Sequence, residues 1–200
     1  ISVGSGGCTV LDKLFSNFLY AQSGAPLASQ VTVTPLTDSL LNPGVRFTGG
    51  FVATGISVVD AAWSFSVDVL SGSPYKIHDV GLLIAGSANG NAFATLGETV
   101  CLGGLCPGSG PSVNLAANMF PGSAQATDHK VFAPVNRVTV VKDLLLLSGA
   151  PLPGQIGPSF AHVSVIEQRF SQVGTVPEPA TLLLLGSGLL GLALASRGRK

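Results

Sequence analysis

The chain has 200 residues, of which 46% are hydrophobic and 10% are charged, and its formal net charge at pH 7 is zero. This length and apolar content suit one domain with a buried core plus one additional segment. Because the body of the chain has no cluster of Lys and Arg residues that could neutralise phosphates, nucleic-acid binding is excluded as a function class.

The N-terminal region gives little information about structure. The chain begins at Ile1 without a basic segment and an apolar run of signal-peptide length. We therefore expect that an N-terminal leader was removed or omitted. Residues 11–20 follow, with Leu and Phe at spacings that fit either a short helix or a strand. The pattern leaves both alternatives open.

Strand-like alternation is clearest around residue 65. Apolar residues recur there with the period of two expected from a strand that buries one face: Trp63, Phe65, Val67 and Val69. The polar residues between them are expected to face solvent: Ser64, Ser66 and Asp68. This pattern predicts that Trp63 belongs to a core.

Further segments rich in Val, Ile, Leu or Phe are predicted as strands: residues 30–34, 76–84, 92–100, 136–146 and 161–170. Gly, Pro, Asn and Ser are concentrated in turn-like stretches between them, including residues 86–91 and 103–112. No long helical pattern lies between the strands. The sequence thus predicts an all-β domain over residues 1–170, an antiparallel β-sandwich of jelly-roll-like or immunoglobulin-like type.

The three cysteines form an uneven set. Cys101 and Cys106 bracket four residues, whereas Cys8 lies near the start of the chain. The close pair is predicted to form a disulfide if the protein is exported, and two reduced thiols in a loop are the alternative. A structural zinc site would need four Cys or His ligands at suitable spacing. We therefore predict no metal site.

Candidate catalytic residues are scattered. His78, His129 and His162 belong to no recognisable motif, and Ser87 lacks the Gly-x-Ser-x-Gly spacing of a hydrolase. His78 and Asp79 are adjacent, so on a strand they would point to opposite faces. The other candidate catalytic residues are isolated carboxylates: Asp60, Asp68, Asp79 and Glu98. We predict no catalytic residue and no cofactor, and we expect that the protein is not an enzyme.

The composition changes after Phe170. Residues 171–179 form a polar, Pro-containing linker, and residues 180–196 are uncharged and rich in Leu, Ala and Gly. Seventeen helical residues reach about 25 Å, which is at the short limit of a membrane span. Residues 197–200 add a basic tail of Arg197, Arg199 and Lys200. A single transmembrane helix with a cytoplasmic tail is predicted, because basic flanks are retained on the cytoplasmic side.

The end of the chain resembles a known sorting signal. Val176-Pro177-Glu178-Pro179, the apolar stretch and the Arg-Gly-Arg-Lys ending are similar, in order, to the tripartite PEP-CTERM signal. This resemblance implies recognition by an exosortase, a membrane-embedded cysteine transpeptidase of Gram-negative bacteria, with removal of the hydrophobic tail. It also implies transfer of the body to the envelope or to an extracellular destination. The precursor is then expected to be anchored in the inner membrane.

The body itself is similar, more loosely, to ectodomains that precede this signal, in residues 13–18, 28–33, 42–47 and 168–172. Those ectodomains share no established activity. The leading hypothesis is therefore a non-enzymatic surface or matrix protein with an adhesive or exopolysaccharide-associated role. Two alternatives stay open: an envelope hydrolase of surface polysaccharide, and a β domain that its tail anchors permanently in the membrane.

Overall fold

The computed structural model describes residues 7–104, 106 and 110–174, and these residues form β-strands joined by turns and one short 3-10 helix, Ala28–Gln30. The strands in chain order are β1 (Cys8–Val10), β2 (Lys13–Ser23), β3 (Thr32–Leu36), β4 (Gly44–Thr54), β5 (Ser57–Val69), β6 (Tyr75–Asn89), β7 (Ala92–Leu102), β8 (Ser112–Phe120), β9 (Ser123–Gln125), β10 (Thr127–Val135), β11 (Arg137–Ser148), β12 (Phe160–Arg169) and β13 (Gln172–Gly174).

The strands form two sheets. The seven-stranded sheet has the order β1-β2-β5-β11-β7-β8-β9, and the second sheet has the order β10-β6-β12-β4-β3, with β13 also paired to β6. The strand ladders are antiparallel, for example β11 with both β5 and β7. Each sheet is apolar on its inner face, so the two sheets stack with these faces together. The prediction of an all-β domain with an antiparallel, sandwich-like arrangement is confirmed.

Aromatic side chains join the two sheets in the core. The ring centroid of Phe47, on β4, lies 5.5 Å from that of Trp63 and 5.7 Å from that of Phe65, both on β5. Trp63 is only 3% exposed, so the prediction that it belongs to the core is confirmed. Such rings bury large apolar areas, and at these distances they also attract one another.

Two expectations about solvent exposure and turns are wrong. Ser66 is buried although its position alternates with core residues, because the loop after β7 covers it: Thr139 Oγ1 contacts the Ser66 hydroxyl and donates to the carbonyl of Gly104. Residues 86–89 belong to β6 and not to a turn. Gly86 is needed there for close approach, since an added Cβ would lie 1.9 Å from the carbonyl oxygen of His162.

The region predicted as a helix or a strand, residues 11–20, lies mainly in strand β2. Strands β4, β8 and β10 are found in addition to the predicted ones. The predicted linker over residues 171–179 overlaps β13, whose Gln172 pairs with Ile77 of β6. The described part of the sandwich therefore continues to Gly174. No helix within the described ranges is long and apolar enough to cross a membrane.

Candidate functional site

A charged cleft lies on the outer face of the sheet that contains β6. In the register of this sheet, Gly81 of β6 is opposite His129 on β10 and opposite Arg169 on β12. Gly81 has no side chain, and a Cβ built on it would meet nothing within 4 Å. Because this position is open, a cleft of about 220 Å³ lies between the side chains of His129 and Arg169, and Leu83 also lines it.

One wall of the cleft contains a pair formed by His129 and Asp79. The Nε2 atom of His129 lies 3.2 Å from Oδ2 of Asp79, although 50 positions separate the two residues in the sequence. Asp79 also accepts a hydrogen bond from the backbone N–H of Ser171 at 3.1 Å. The His129 side chain is 55% exposed, so its ring is open to a ligand while Asp79 orients it.

The opposite wall is built on Arg169. Its Nη1 and Nη2 atoms donate to the two carboxylate oxygens of Asp38 at 2.8 and 3.1 Å, and its Nε donates to Glu167 at 3.3 Å. Glu167 in turn accepts a hydrogen bond from Nε of Arg46 at 2.9 Å. The hydrogen bonds that Arg169 donates to Asp38 lower the pKa of Asp38 and raise the pKa of Arg169. Asp38, Arg169, Glu167 and Arg46, in this order, thus form one chain of alternating charge.

Asp128 closes the side of the cleft toward the other sheet. Its carboxylate accepts hydrogen bonds from the backbone N–H groups of Ala116 at 3.0 Å and His129 at 2.7 Å, and Lys130 lies 3.6 Å away. Burial alone would raise the pKa of Asp128, but these two backbone hydrogen bonds and the charge of Lys130 lower it. Asp128 therefore stays ionised and ties β10 to β8.

Hydrogen-bond donors and hydrogen-bond acceptors both line the cleft. Asn42, Thr127 and Ser171 add an amide and two hydroxyls to the ionised groups. The amide and the hydroxyls can donate as well as accept, and the carboxylates accept. Each carboxylate of the walls already contacts a basic side chain. The arrangement suits a ligand that carries many hydroxyl groups better than one with a large net charge.

A second polar cluster lies inside the sandwich and not at its surface. The Lys142 ammonium on β11 donates to Glu98 on β7 and to Gln168 on β12, and the Lys142 and Glu98 side chains are fully buried. Burial lowers the pKa of Lys142, and the charge of Glu98 opposes this shift. Burial likewise raises the pKa of Glu98 against the effect of Lys142. Because both side chains are fully buried and Lys142 also donates to Gln168 of the other sheet, this cluster connects the two sheets.

The structure places the residues singled out from the sequence in different regions. Cys101 and Cys106 are joined in a disulfide with a Cα–Cα distance of 5.7 Å, and Cys8 is a half-buried free thiol whose pKa is raised by burial. His78 and His162 lie on β6 and β12 without joining the cleft. The described residues contain no group of three or more potential metal ligands.

Sequence reasoning missed the pairing of His129 with Asp79, because β10 was not predicted as a strand. It also missed Arg169 and Glu167 as cleft residues, although both lie on the segment predicted over 161–170. Alternation along that segment was the one available signal, since residues two apart share a face of a strand. The sorting residues Val176, Pro177, Glu178 and Pro179, the apolar segment 180–196 and the basic residues Arg197, Arg199 and Lys200 lie outside the described residues.

A larger cavity, of about 580 Å³, lies between β6 and the β8–β9 hairpin. Its lining contains Ser87, Met119, Phe120 and Ser123 but no ionisable side chain. It can accommodate apolar or hydroxylated groups, but it offers neither an acid nor a base. The charged cleft is therefore the better candidate for specific recognition.

Comparison with known proteins assigns the C-terminal segment. A search of curated proteins gave no match. Among solved structures, the chain is similar to TmCBM61 in complex with β-1,4-galactotriose, with 11% identity and a TM-score of 0.34 over 75% of this chain and 86% of that one. It is also similar to the family 11 carbohydrate-binding module of Clostridium thermocellum, in complex with a β-1,3-1,4-mixed-linked tetrasaccharide, with 11% identity and a TM-score of 0.27 over 88% of this chain and 100% of that one.

A third solved structure is the enzymatically active domain of tailspike protein 4 of bacteriophage CBA120, with 17% identity and a TM-score of 0.30. That match covers 79% of this chain but 20% of the tailspike chain, so this chain spans about a fifth of its length. The family model of the PEP-CTERM protein-sorting motif matches residues 175–200, directly after β13. The resemblance of the tail to this signal is thereby confirmed. The chain is a β-sandwich protein with a C-terminal PEP-CTERM sorting motif, and this motif indicates an exported protein that is sorted to the cell envelope by an exosortase.

Proposed function

We propose that this protein is displayed at the surface of a Gram-negative bacterium, or in its extracellular matrix, and that its β-sandwich binds exopolysaccharide without catalysing a reaction. Before processing, residues 180–196 hold the precursor in the inner membrane as a single transmembrane helix, with residues 197–200 in the cytoplasm. The exosortase then removes this hydrophobic tail. The sandwich remains as the functional part, with an adhesive or matrix-forming role.

The observation that carries the binding role is the cleft above Gly81. Its basic side chains already have acidic partners before any ligand enters: His129 contacts Asp79, and Arg169 contacts Asp38 and Glu167. A sugar hydroxyl can donate to a carboxylate and accept from a guanidinium or an imidazole. The balanced walls can therefore bind a polymer of neutral sugars by many modest hydrogen bonds.

The same pairing argues against hydrolysis. Glycoside hydrolysis needs two carboxyl groups that face each other across the bond, one protonated and one ionised. Of the three carboxyl groups that line the cleft, Asp128 has a lowered pKa, and Asp79 and Glu167 each contact a basic side chain. None of these three carboxyl groups is without a protein partner. Binding without turnover is the function that this arrangement supports.

The sorting half of the proposal is tested by mass spectrometry of the C-terminus, in envelope and secreted fractions from cells with and without the exosortase. We expect the enzyme-containing cells to yield chains that end near Pro177–Pro179. An intact Lys200 in both strains would make the tail a permanent membrane anchor and contradict this half.

The binding half is tested by filling the cleft. Gly81→Val adds a side chain into open space and should fold normally, while blocking the gap between His129 and Arg169. Retention on exopolysaccharide extracted from the producing cells should fall about tenfold, as expected when a central contact region is lost. Gly50→Val is the matched control, because its Cβ also meets nothing within 4 Å and Gly50 does not line the cleft.

Unchanged retention of Gly81→Val on the polymer would remove the cleft from the binding role. The same incubation distinguishes binding from hydrolysis. If reducing ends accumulate with the wild-type protein and not with Gly81→Val, the protein is a hydrolase, and the non-enzymatic proposal is overturned.

A further inference from the structure

The point where the chain leaves the sandwich is firmly fixed. Gln172, the first residue of β13, donates from its backbone N–H to Leu41 at 3.0 Å and from Nε2 to the carbonyl of Leu40 at 2.6 Å. Its Oε1 accepts a hydrogen bond from Lys13, which belongs to the other sheet. Two residues later, Gly174 pairs with Tyr75 at the start of β6. The exit is thus tied to both sheets.

The sorting motif begins immediately beyond this point. The family match starts at residue 175, and only residues 175 and 176 separate Gly174 from Pro177. Even a fully extended chain spans at most about 10 Å over these three steps. An enzyme that encloses Pro177–Pro179 in a cleft must therefore come against the end of the sandwich from which the chain emerges.

Four side chains lie at that end and are named the exit surface: Leu70 directly after β5, Tyr75 and Lys76 at the start of β6, and Val173 opposite Lys76 on β13. Leu70 is 38% exposed and Val173 is 39% exposed. The turn before β6 is held in shape, since the Leu70 N–H donates to Asp12 at 2.8 Å and the Tyr75 N–H donates to the Ser73 hydroxyl at 3.1 Å. The surface combines exposed aliphatic groups, one aromatic ring and one cation on a rigid support.

We propose that the exit surface is a docking site for the exosortase that processes the sorting motif. This inference rests on the sorting half of the proposed function and extends it: the enzyme reads the folded body as well as the motif. The short connection from Gly174 carries the argument, because it makes contact at this end unavoidable. Exposed apolar side chains at a forced contact bury area and stabilise the complex, in the manner of interface anchors.

The first test lengthens the connection. A flexible Gly/Ser segment of about ten residues, inserted between Gly174 and Thr175, lets the motif enter the enzyme while the body stays away. In cells that contain the exosortase, pulse-labelled full-length chain should then be shortened about fivefold more slowly, because the docking surface is no longer held beside the enzyme. Shortening at the wild-type rate, or faster, would overturn the proposal.

The second test changes the surface and leaves the motif intact. Leu70→Ser lies far from residues 175–200 in the sequence, so it cannot alter motif recognition directly, and it should slow processing about fivefold as an interface anchor is lost. Ile56→Ser is the matched control. Ile56 is 85% exposed and precedes β5, whereas Leu70 follows that strand, which places the two residues about 40 Å apart. Equal rates for both variants would contradict docking.

Failure of the inference is distinguishable from failure of the proposed function. If the wild-type chain is never shortened, both are overturned; if wild type and all variants are shortened alike, docking alone is overturned.

A lipid surface is the other possible occupant of this end. Reconstitution of full chain and enzyme in phosphatidylethanolamine vesicles, with and without phosphatidylglycerol, decides between them. If the enzyme docks on the exit surface, Lys76→Glu should slow processing in both kinds of vesicle. If Lys76→Glu slows processing only in vesicles that contain phosphatidylglycerol, the docking proposal is overturned.

Discussion

The ammonium group of Lys142 donates a hydrogen bond to the carboxylate of Glu98 across neighbouring strands, with both side chains fully buried between the sheets. Gln168 of the opposite sheet also accepts from Lys142 and donates from Nε2 to the carbonyl of Gly81 at 3.0 Å. The pair therefore links β7 and β11 to the strands that form the base of the charged cleft.

Removal of one partner of this pair should be costly. Lys142→Met leaves Glu98 buried without a counter-charge, and we expect the free energy of unfolding to fall by about 3–5 kcal/mol. Urea unfolding, followed by the fluorescence of the single tryptophan, measures the change. The double variant Lys142→Met, Glu98→Leu should recover most of the loss, because no uncompensated charge remains. A Lys142→Met protein as stable as wild type would contradict this account.

The ion pair of Asp38 and Arg169 should make stability depend on acidic pH. The pKa of Asp38 is lowered from 3.8 in the folded state, so its contribution is present above that value and is lost as the pH falls through the folded-state pKa. Unfolding free energies measured between about pH 5 and pH 2 should decline, and less steeply in Asp38→Asn. Identical slopes for the two proteins would show that this pair has no role.

The disulfide between Cys101 and Cys106 should stabilise both the chain and the cover over Ser66. A ring of this size removes loop entropy worth about 2 kcal/mol from the unfolded state. The paired variant Cys101→Ser, Cys106→Ser should lower the melting temperature, and dithiothreitol should have the same effect on wild type only. Cys8→Ser is the control, since Cys8 is a free thiol. A melting temperature insensitive to reduction would contradict this prediction.

Gln172 should determine how firmly the exit strand is attached. Gln172→Ala removes the hydrogen bonds of its side chain with Lys13 and Leu40, leaving Asp12 as the remaining ion-pair partner of the buried Lys13. We expect a loss of about 1–3 kcal/mol, concentrated in local opening of β13. Hydrogen exchange at Val173 and Gly174 should become faster, while exchange in β11 stays unchanged. Equal acceleration in both strands would indicate global destabilisation instead.

The strands could be predicted where one face is apolar and the other is polar. This holds for β5, in which Trp63, Phe65 and Val67 alternate with polar residues. It fails for β10, because its residues are mostly exposed and Phe132 alone is buried, so no period of two is visible. Alternation reports burial of one face, and an edge strand with little burial does not show it.

The buried ion pair was unpredictable for a related reason. Glu98 and Lys142 lie on segments that the sequence predicts as strands, but an isolated charge in a strand is normally assigned to the solvent face. Both residues occupy inward positions of their strands, between Leu96 and Val100 and between Val140 and Leu144. Only the cross-strand register reveals that each charge has the other as its partner.

The sequence by itself determined the features that are local and contiguous: the β-rich body, the change of composition after Phe170 and the sorting motif over residues 175–200. Such features depend on neighbouring residues, so they are visible without a fold. Tertiary structure alone decided the cleft and the exit surface. Asp79, His129 and Arg169 come from three strands, and Leu70 and Val173 share one end of the sandwich because β13 pairs with the start of β6. Sheet register brings these residues together, and one sequence without that register cannot specify it.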